Sequence, residues 1–167
     1  MTATPPLPEP IGFARHDHST CISDTVAAVA ARCTADGLQL TPVRRRVLEI
    51  LLERHRALGA YEILDVLRDE GLGSQPPVAY RALEFLTKHG FAHRIERLNA
   101  FAACSHPGAD HAAAFLICTG CGVVAEAVPD AARAALSQTA QTVGFTISRS
   151  VIEAEGLCPS CNKADAS

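Results

Sequence analysis

Two C-x-x-C pairs, Cys118/Cys121 and Cys158/Cys161, constrain this chain more than any other feature. A C-x-x-C turn aims two thiolates at one point, and two such turns complete a tetrahedral four-sulfur zinc site. The chain between the pairs must then leave one place and return to it. It is 36 residues long, more than a simple zinc ribbon uses and enough for one helix and one returning strand. The alternative is redox chemistry, since Cys158-Pro159-Ser160-Cys161 alone resembles a thioredoxin-type turn. The opening MTATPPLPEPIG has four prolines and no apolar run, so it reads as neither a signal peptide nor a membrane helix. No segment approaches the roughly 18 apolar residues of a membrane span. In a chain that is not exported, cysteines stay reduced and two pairs favour structural zinc. Seven cysteines is also an odd number, which a closed disulfide framework disfavours.

A second, looser set of metal-ligand residues precedes the first pair: His93, Cys104, His106, His111 and, just beyond it, Glu126. Mixed nitrogen, sulfur and oxygen donors suit zinc, and a set drawn from two modules suits a reversible, sensory site. Histidines on a short hairpin also commonly face phosphate or solvent, and that reading stays open. A third cluster, His16, His18 and Cys21, lies in the N-terminal segment, where a solvated tail is the simpler account.

Taken in order, residues 1 to about 20 read as a tail, Pro-rich and then His-rich. A helix is expected from Ser23 to near Gly37, with Cys33 as a small buried residue. Three helices of 3.6-residue periodicity follow. Thr41-Pro42 caps the first, with Val43, Val47, Ile50 and Leu51 on its apolar face. Ala60, Ile63, Leu64 and Leu67 mark the second, which ends at Gly71. The third opens at Ser74-Gln75-Pro76-Pro77, buries Ala79, Ala82, Leu83 and Leu86, and stops at Gly90. Phe91–Glu96 and Ala100–Cys104 then form a hairpin. Three helices and a hairpin in this order make a winged helix-turn-helix. Beyond it, 112–118 and 122–127 read as strands around the C-T-G-C turn. A helix starts at Pro129-Asp130, with Ala132, Ala135, Leu136 and Val143 apolar, and Phe145–Glu155 reads as a strand. A β-β-α-β order implies a small mixed sheet with one helix covering a face.

Net charge is −3, unevenly spread: residues 38–99 are +2, while the flanks are −2 and −3. A basic middle between acidic flanks permits DNA binding. On the third helix Tyr80, Arg81, Glu84 and Lys88 lie off the apolar face, and Arg81 is placed to reach a guanine edge in a major groove. A plain solvated helix face would look the same.

These residues carry a resemblance to the ferric uptake regulator family of bacterial metal-dependent repressors, and within it to the zinc uptake regulator branch. It runs from about Leu40 to Cys161 through LTPVRR, GAYEIL, PPVAYRALEFL, HGFAHRIE, N-x-F, ICTGCG and LCPSC. The resemblance implies that Cys118, Cys121, Cys158 and Cys161 hold a structural zinc. It implies that His93, Cys104, His111 and Glu126 hold a regulatory zinc, with His106 a substitute for His111. It also implies that Arg81 reads purines and Tyr61 packs on a thymine. Tyr80 is expected at the DNA as well, and Arg44, Arg45 and Arg46, which the spacing places beside the apolar face of the Thr41-Pro42 helix, are expected to contact phosphate. Iron-sensing members carry H-H-x-H before the first C-x-x-C; here HPGADHAAAFLIC stands instead, which points to zinc. The usual T-V-Y-R becomes Val78-Ala79-Tyr80-Arg81.

The expected fold is therefore α+β, an N-terminal winged helix-turn-helix followed by a small α/β dimerisation domain. The expected boundaries are a tail at 1–20, a DNA-binding domain at 21–104 with a hinge at its end, a dimerisation and metal-binding domain at 105–162, and a tail at 163–167. The expected function is a cytoplasmic, homodimeric, zinc-responsive repressor of zinc-uptake genes. It would bind a palindromic double-stranded operator and about two zinc ions per subunit, with no membrane and no enzyme activity. An iron, manganese or peroxide sensor, or a zinc-dependent or thiol-redox enzyme, is the alternative.

Overall fold

A computed structural model describes residues 12–13, 18–107 and 113–165; the expectations placed on His16 and His111 lie outside these residues. Helix α1 spans His18–Ala35, α2 Pro42–Leu52, α3 Ala60–Asp69 and α4 Pro76–Lys88. The hairpin is β1, Ala92–Ile95, and β2, Ala100–Ala103; then come β3, Ala114–Cys118, β4, Val124–Ala127, α5, Asp130–Thr142, β5, Ile152–Gly156, and α6, Pro159–Asp165.

The winged helix forms where local signals and apolar periodicity agree. Thr41 accepts the Arg44 N–H at 3.4 Å, and Pro42 occupies the first helical position. Glu62 folds back to take the Gly59 N–H at 2.8 Å, closing the start of α3. Val47, Leu48, Ile50 and Leu51 of α2 are buried with Ile63, Leu64 and Leu67 of α3 and Ala82, Leu83, Phe85 and Leu86 of α4. Leu48 and Phe85 were not among the expected core positions. Gly90, at a φ of 72°, ends α4 in a left-handed turn that sends the chain into β1.

The first helix departs from expectation. It begins at His18, inside the stretch expected to be a tail, and Ser23 lies in its interior with its hydroxyl donating to the Thr20 carbonyl at 2.9 Å. Val26, Val29 and Cys33 join the winged-helix core, and that burial orders the helix beyond its own capping signal.

In the second module β3 is central. It pairs antiparallel with β4 and parallel with β5, giving the order β4-β3-β5. Two expectations fail here. The strand read from Phe145 starts only at Ile152, because Gly144, at a φ of 68°, makes a helix-ending turn in which the Phe145 N–H bonds the Ala140 carbonyl at 2.8 Å. The expected covering helix also does not bury its apolar face. Ala140 is the buried residue of α5, while Leu136, Val143, Phe145 and Val151 are exposed.

The modules meet through a small second core of Ile95, Phe115, Ile117 and Val124, with Ala57, Ala102 and Ala113 against it. Backbone bonds join them too. The Val124 N–H donates to the His55 carbonyl at 2.8 Å, so the α2–α3 connection borders the edge of β4.

Candidate metal centres and nucleic-acid interface

The parallel pairing of β3 with β5 explains how the distant C-x-x-C pairs converge. It runs through Cys118 opposite Gly156, so both strands end side by side. Thr119 then binds the Gly156 carbonyl through its N–H at 2.8 Å and its hydroxyl at 3.1 Å. The ligand atoms of Cys118, Cys121, Cys158 and Cys161 all lie within 4.8 Å of one another, with the Cys121 and Cys158 sulfurs at 3.7 Å. Zinc–sulfur bonds of about 2.3 Å set the edge of a tetrahedral site at roughly 3.8 Å, so the four thiols fit this metal. The Cys121 and Cys158 backbone N–H groups aim at the Cys118 sulfur and hold its thiol below the usual range. The neighbouring thiols, Cys158 first, push Cys161 upward. Such a pocket favours loss of one proton first, which suits metal capture. At Gly120 a Cβ would stand 3.0 Å from the Cys161 sulfur, so the turn packs tightly against the fourth ligand.

The second centre lies between the modules. His93 sits on β1 opposite Ala102, and Cys104 follows β2, extending the hairpin through its N–H to the Phe91 carbonyl at 3.0 Å. Glu126 comes from β4, where its register partner is Phe115 of β3. The Phe115 ring lies 5.3 Å from the His93 ring and walls the site on one side. Glu126 Oε1 is 3.4 Å from His93 Nε2 and 4.0 Å from Cys104 Sγ, while Oε2 accepts the Ser105 N–H at 2.8 Å. The ligand atoms of His93, Cys104 and Glu126 all fall within 4.8 Å. Burial, reinforced by the Glu126 charge, pushes the Cys104 thiol up to about 12, and the His106 N–H at 3.4 Å opposes this only in part. Such a thiol keeps its proton until a cation takes the proton's place. One nitrogen, one sulfur and one oxygen, converging from both modules, form a zinc-compatible donor set one short of the usual four. His106 is exposed beside it, with its side chain contributing no atom to the set of three.

The expected DNA face is open. Tyr61 at the start of α3, and Tyr80 and Arg81 on α4, all project from the surface, Tyr61 with 64% of its area exposed. The three consecutive arginines of α2 divide. Arg44 stacks 3.8 Å above the Phe85 ring and donates to the Gln39 carbonyl at 2.6 Å. Arg45 is exposed, with one ion pair to Glu49 at 3.2 Å. Arg46 is taken up by Glu49, Glu53 and Glu70. Spacing alone put all three beside the apolar face. What separates Arg46 is Glu70, which no local pattern places near it.

The family model of the ferric uptake regulator family matches residues 35–154. The chain belongs to the ferric uptake regulator family. It is 34% identical to the zinc uptake regulation protein of Escherichia coli (strain K12), over 88% of this chain and 86% of that protein. A solved zinc uptake regulator, complexed with zinc and DNA, superposes with a TM-score of 0.82 at 33% identity, covering 87% of this chain and 98% of that one. The protein XcZur was solved in two states. Its holo form gives a TM-score of 0.76 at 37% identity, over 88% of this chain and 99% of that one. Its apo form gives 0.50 at 39% identity, over 86% and 99%. At nearly equal identity, this structure is more similar to the holo form than to the apo form of that protein.

Proposed function

We propose that this protein is a zinc-responsive transcriptional repressor of zinc-uptake genes, acting as a homodimer on a palindromic operator. The single observation carrying this reading is the His93, Cys104 and Glu126 set, whose donors come from two modules and converge within 4.8 Å. A site split in this way binds better when the modules are closed, and only that difference in affinity can bias closure. Likeness to the zinc- and DNA-bound regulator, and to the holo over the apo form of XcZur, supports the closed state as the metal-favoured one.

His93 and Cys104 hold the base of the wing, and Glu126 holds β4 to it. Zinc bound there would supply a cross-link between the modules; His111 or His106 is proposed as the fourth donor. The four cysteines would hold a structural zinc in the second module. The exposed face of Leu136, Val143 and Phe145 is proposed as part of the dimer contact, since a single chain leaves it unburied. Closure would set the separation between two Arg81-bearing helices, so that both meet half-sites of a palindrome. By linkage, DNA must raise zinc affinity by the same factor.

Arg81, Tyr61 and Tyr80 are proposed to read or pack on bases, and Arg44 and Arg45 to face phosphate. The hinge is proposed around 96–112, between a DNA-binding domain at 21–104 and a dimerisation domain at 105–162. No helix among the described residues is long and apolar enough to cross a membrane. A role on DNA is proposed to keep the protein in the cytoplasm, and both C-x-x-C pairs are proposed to be committed to zinc rather than to redox or enzymatic chemistry. The test is binding to a duplex selected from random DNA by the zinc-loaded protein. Chelator should abolish selective binding and zinc should restore it, ahead of iron or manganese. Binding indifferent to zinc would overturn the reading.

A further inference from the structure

The sheet row that carries Glu126 has another member. Glu126 is the register partner of Phe115 on one side, and Glu153 of β5 is its partner on the other. Register partners project to the same face, so Glu126, Phe115 and Glu153 form one line across β4, β3 and β5. With strands about 4.8 Å apart, the two carboxylates stand on strands roughly 10 Å from each other. Both face the hairpin, and each grips its backbone at an opposite end. Glu126 takes the Ser105 N–H beyond the open end at 2.8 Å. Glu153 takes two N–H groups in the turn at the closed end, Glu96 on Oε1 at 2.6 Å and Arg97 on Oε2 at 2.8 Å.

Two side-chain ion pairs frame this turn, Arg97 with Glu155 at 3.0 Å and Arg149 with Glu96 at 2.7 Å. Exposed pairs of that kind contribute little. Glu153 differs because each of its oxygens holds a separate, consecutive backbone amide. Charge-assisted bonds to such a pair are both stronger and directional. Its own strand is fixed by pairing with β3 over five positions, so the grip transmits position rather than merely attracting. The two amides it holds belong to the wing, so its loss leaves the second module's own pairing intact.

We infer that Glu153 is a positioning residue for the DNA response: it latches the wing turn to the second module without metal, and thereby sets how much zinc closure requires. This rests on the metal-driven closure proposed above. The donor set tightens one end of the hairpin and Glu153 tightens the other, and opening must release both. The fraction of protein already closed multiplies the apparent metal affinity, so the latch lowers the zinc needed without touching zinc.

The experiment uses the full chain with Glu153→Ala, Glu153→Gln and Glu155→Ala. Binding to the selected duplex is titrated against buffered free zinc, alongside amide hydrogen exchange. For Glu153→Ala the zinc midpoint should rise about tenfold, the loss expected for charge-assisted backbone bonds. Glu153→Gln should shift it less, since its amide oxygen keeps one acceptor. Glu155→Ala removes only the exposed pair and should leave the midpoint in place. Zinc per subunit, dimer mass and duplex affinity at saturating zinc should match the unmodified protein in all three. Exchange at Glu96 and Arg97 should quicken in Glu153→Ala. An unchanged midpoint with unchanged exchange, or an equal shift in Glu155→Ala, would overturn the latch. Unmodified protein that ignores zinc would instead overturn the proposed function, and exchange at Glu96 and Arg97 would still judge the latch by itself.

Discussion

Arg46 holds Glu70 through two parallel hydrogen bonds of 2.8 Å, Nε to Oε2 and Nη2 to Oε1, across 24 residues of chain. A fork of this geometry ties the middle of α2 to the end of α3, and Glu53 adds a third contact at 2.8 Å. Arg46 therefore serves the winged helix itself, while Arg45, with one exposed pair, is the better candidate for phosphate. Arg46→Ala should lower the melting temperature by a few degrees and leave the affinity of the folded protein for DNA nearly unchanged. Arg45→Ala should weaken binding to all sequences and reduce the salt slope by about one counterion. Thermal melts and salt-dependent binding, run on both variants, check the division; a salt slope altered by Arg46→Ala would reverse it.

The same pair gives a pH dependence of known sign. The Arg46 guanidinium holds the Glu70 carboxyl below its usual range. A depressed carboxyl contributes stability that is present above the unfolded value of about 4.3 and is lost as pH falls through the lower folded value. Lowering pH from about 5 toward 3 should therefore destabilise the unmodified protein more than Glu70→Gln. Denaturant midpoints across that range test it, and parallel curves for the two proteins would exclude the pair as a contributor.

The two metal centres should fail differently. The four-cysteine site closes the end of the β3–β5 pairing, and structural zinc contributes about 10–16 kcal/mol in apparent terms, more than a small domain's entire stability. Cys121→Ser should give monomeric or aggregated protein even with excess zinc. Cys104→Ser removes a donor only from the set between the modules. It should leave a folded dimer with one zinc fewer per subunit, whose DNA binding no longer responds to zinc. Metal content, mass in solution and duplex binding are the measurements, and a zinc-dependent Cys104→Ser protein would remove Cys104 from the sensor.

Zinc response should also weaken in acid. Burial holds the Cys104 thiol up near 12, so zinc must displace its proton, and His93 must be neutral to donate. Both requirements oppose binding as protons become more abundant. The zinc midpoint should therefore rise steadily as pH falls from neutrality. A midpoint independent of pH from neutrality downward would mean that neither group is a ligand.

At the proposed DNA face, Arg81→Ala should abolish discrimination between the selected duplex and a scrambled one, a loss of about 1–3 kcal/mol, with zinc content and dimer mass unchanged. Tyr61→Phe should cost less affinity than Tyr61→Ala if the ring supplies an apolar contact to a thymine methyl. Equal losses would point to the Tyr61 hydroxyl instead.

Sequence alone determined what rests on short-range order. The periodicity of Val47, Ile50 and Leu51, of Ile63, Leu64 and Leu67, and of Leu83 and Leu86 specified the faces that are buried, because helical geometry repeats every 3.6 residues wherever it occurs. The C-x-x-C spacing specified two ligand turns, since local backbone geometry suffices to aim two thiols together. Tertiary structure decided what no window of sequence contains. Ser23 looked like a helix start, but packing of Val26 and Val29 carries α1 back to His18. Phe145 looked like a strand residue, but the turn at Gly144 binds it to the end of α5. Above all, the register of β3 against β4 and β5 placed Glu126 and Glu153 on one row and aimed both at the hairpin. A glutamate in a strand shows its alternation, but not its partner. Partners come from pairings between segments separated by long stretches of chain, and only the folded molecule brings those together.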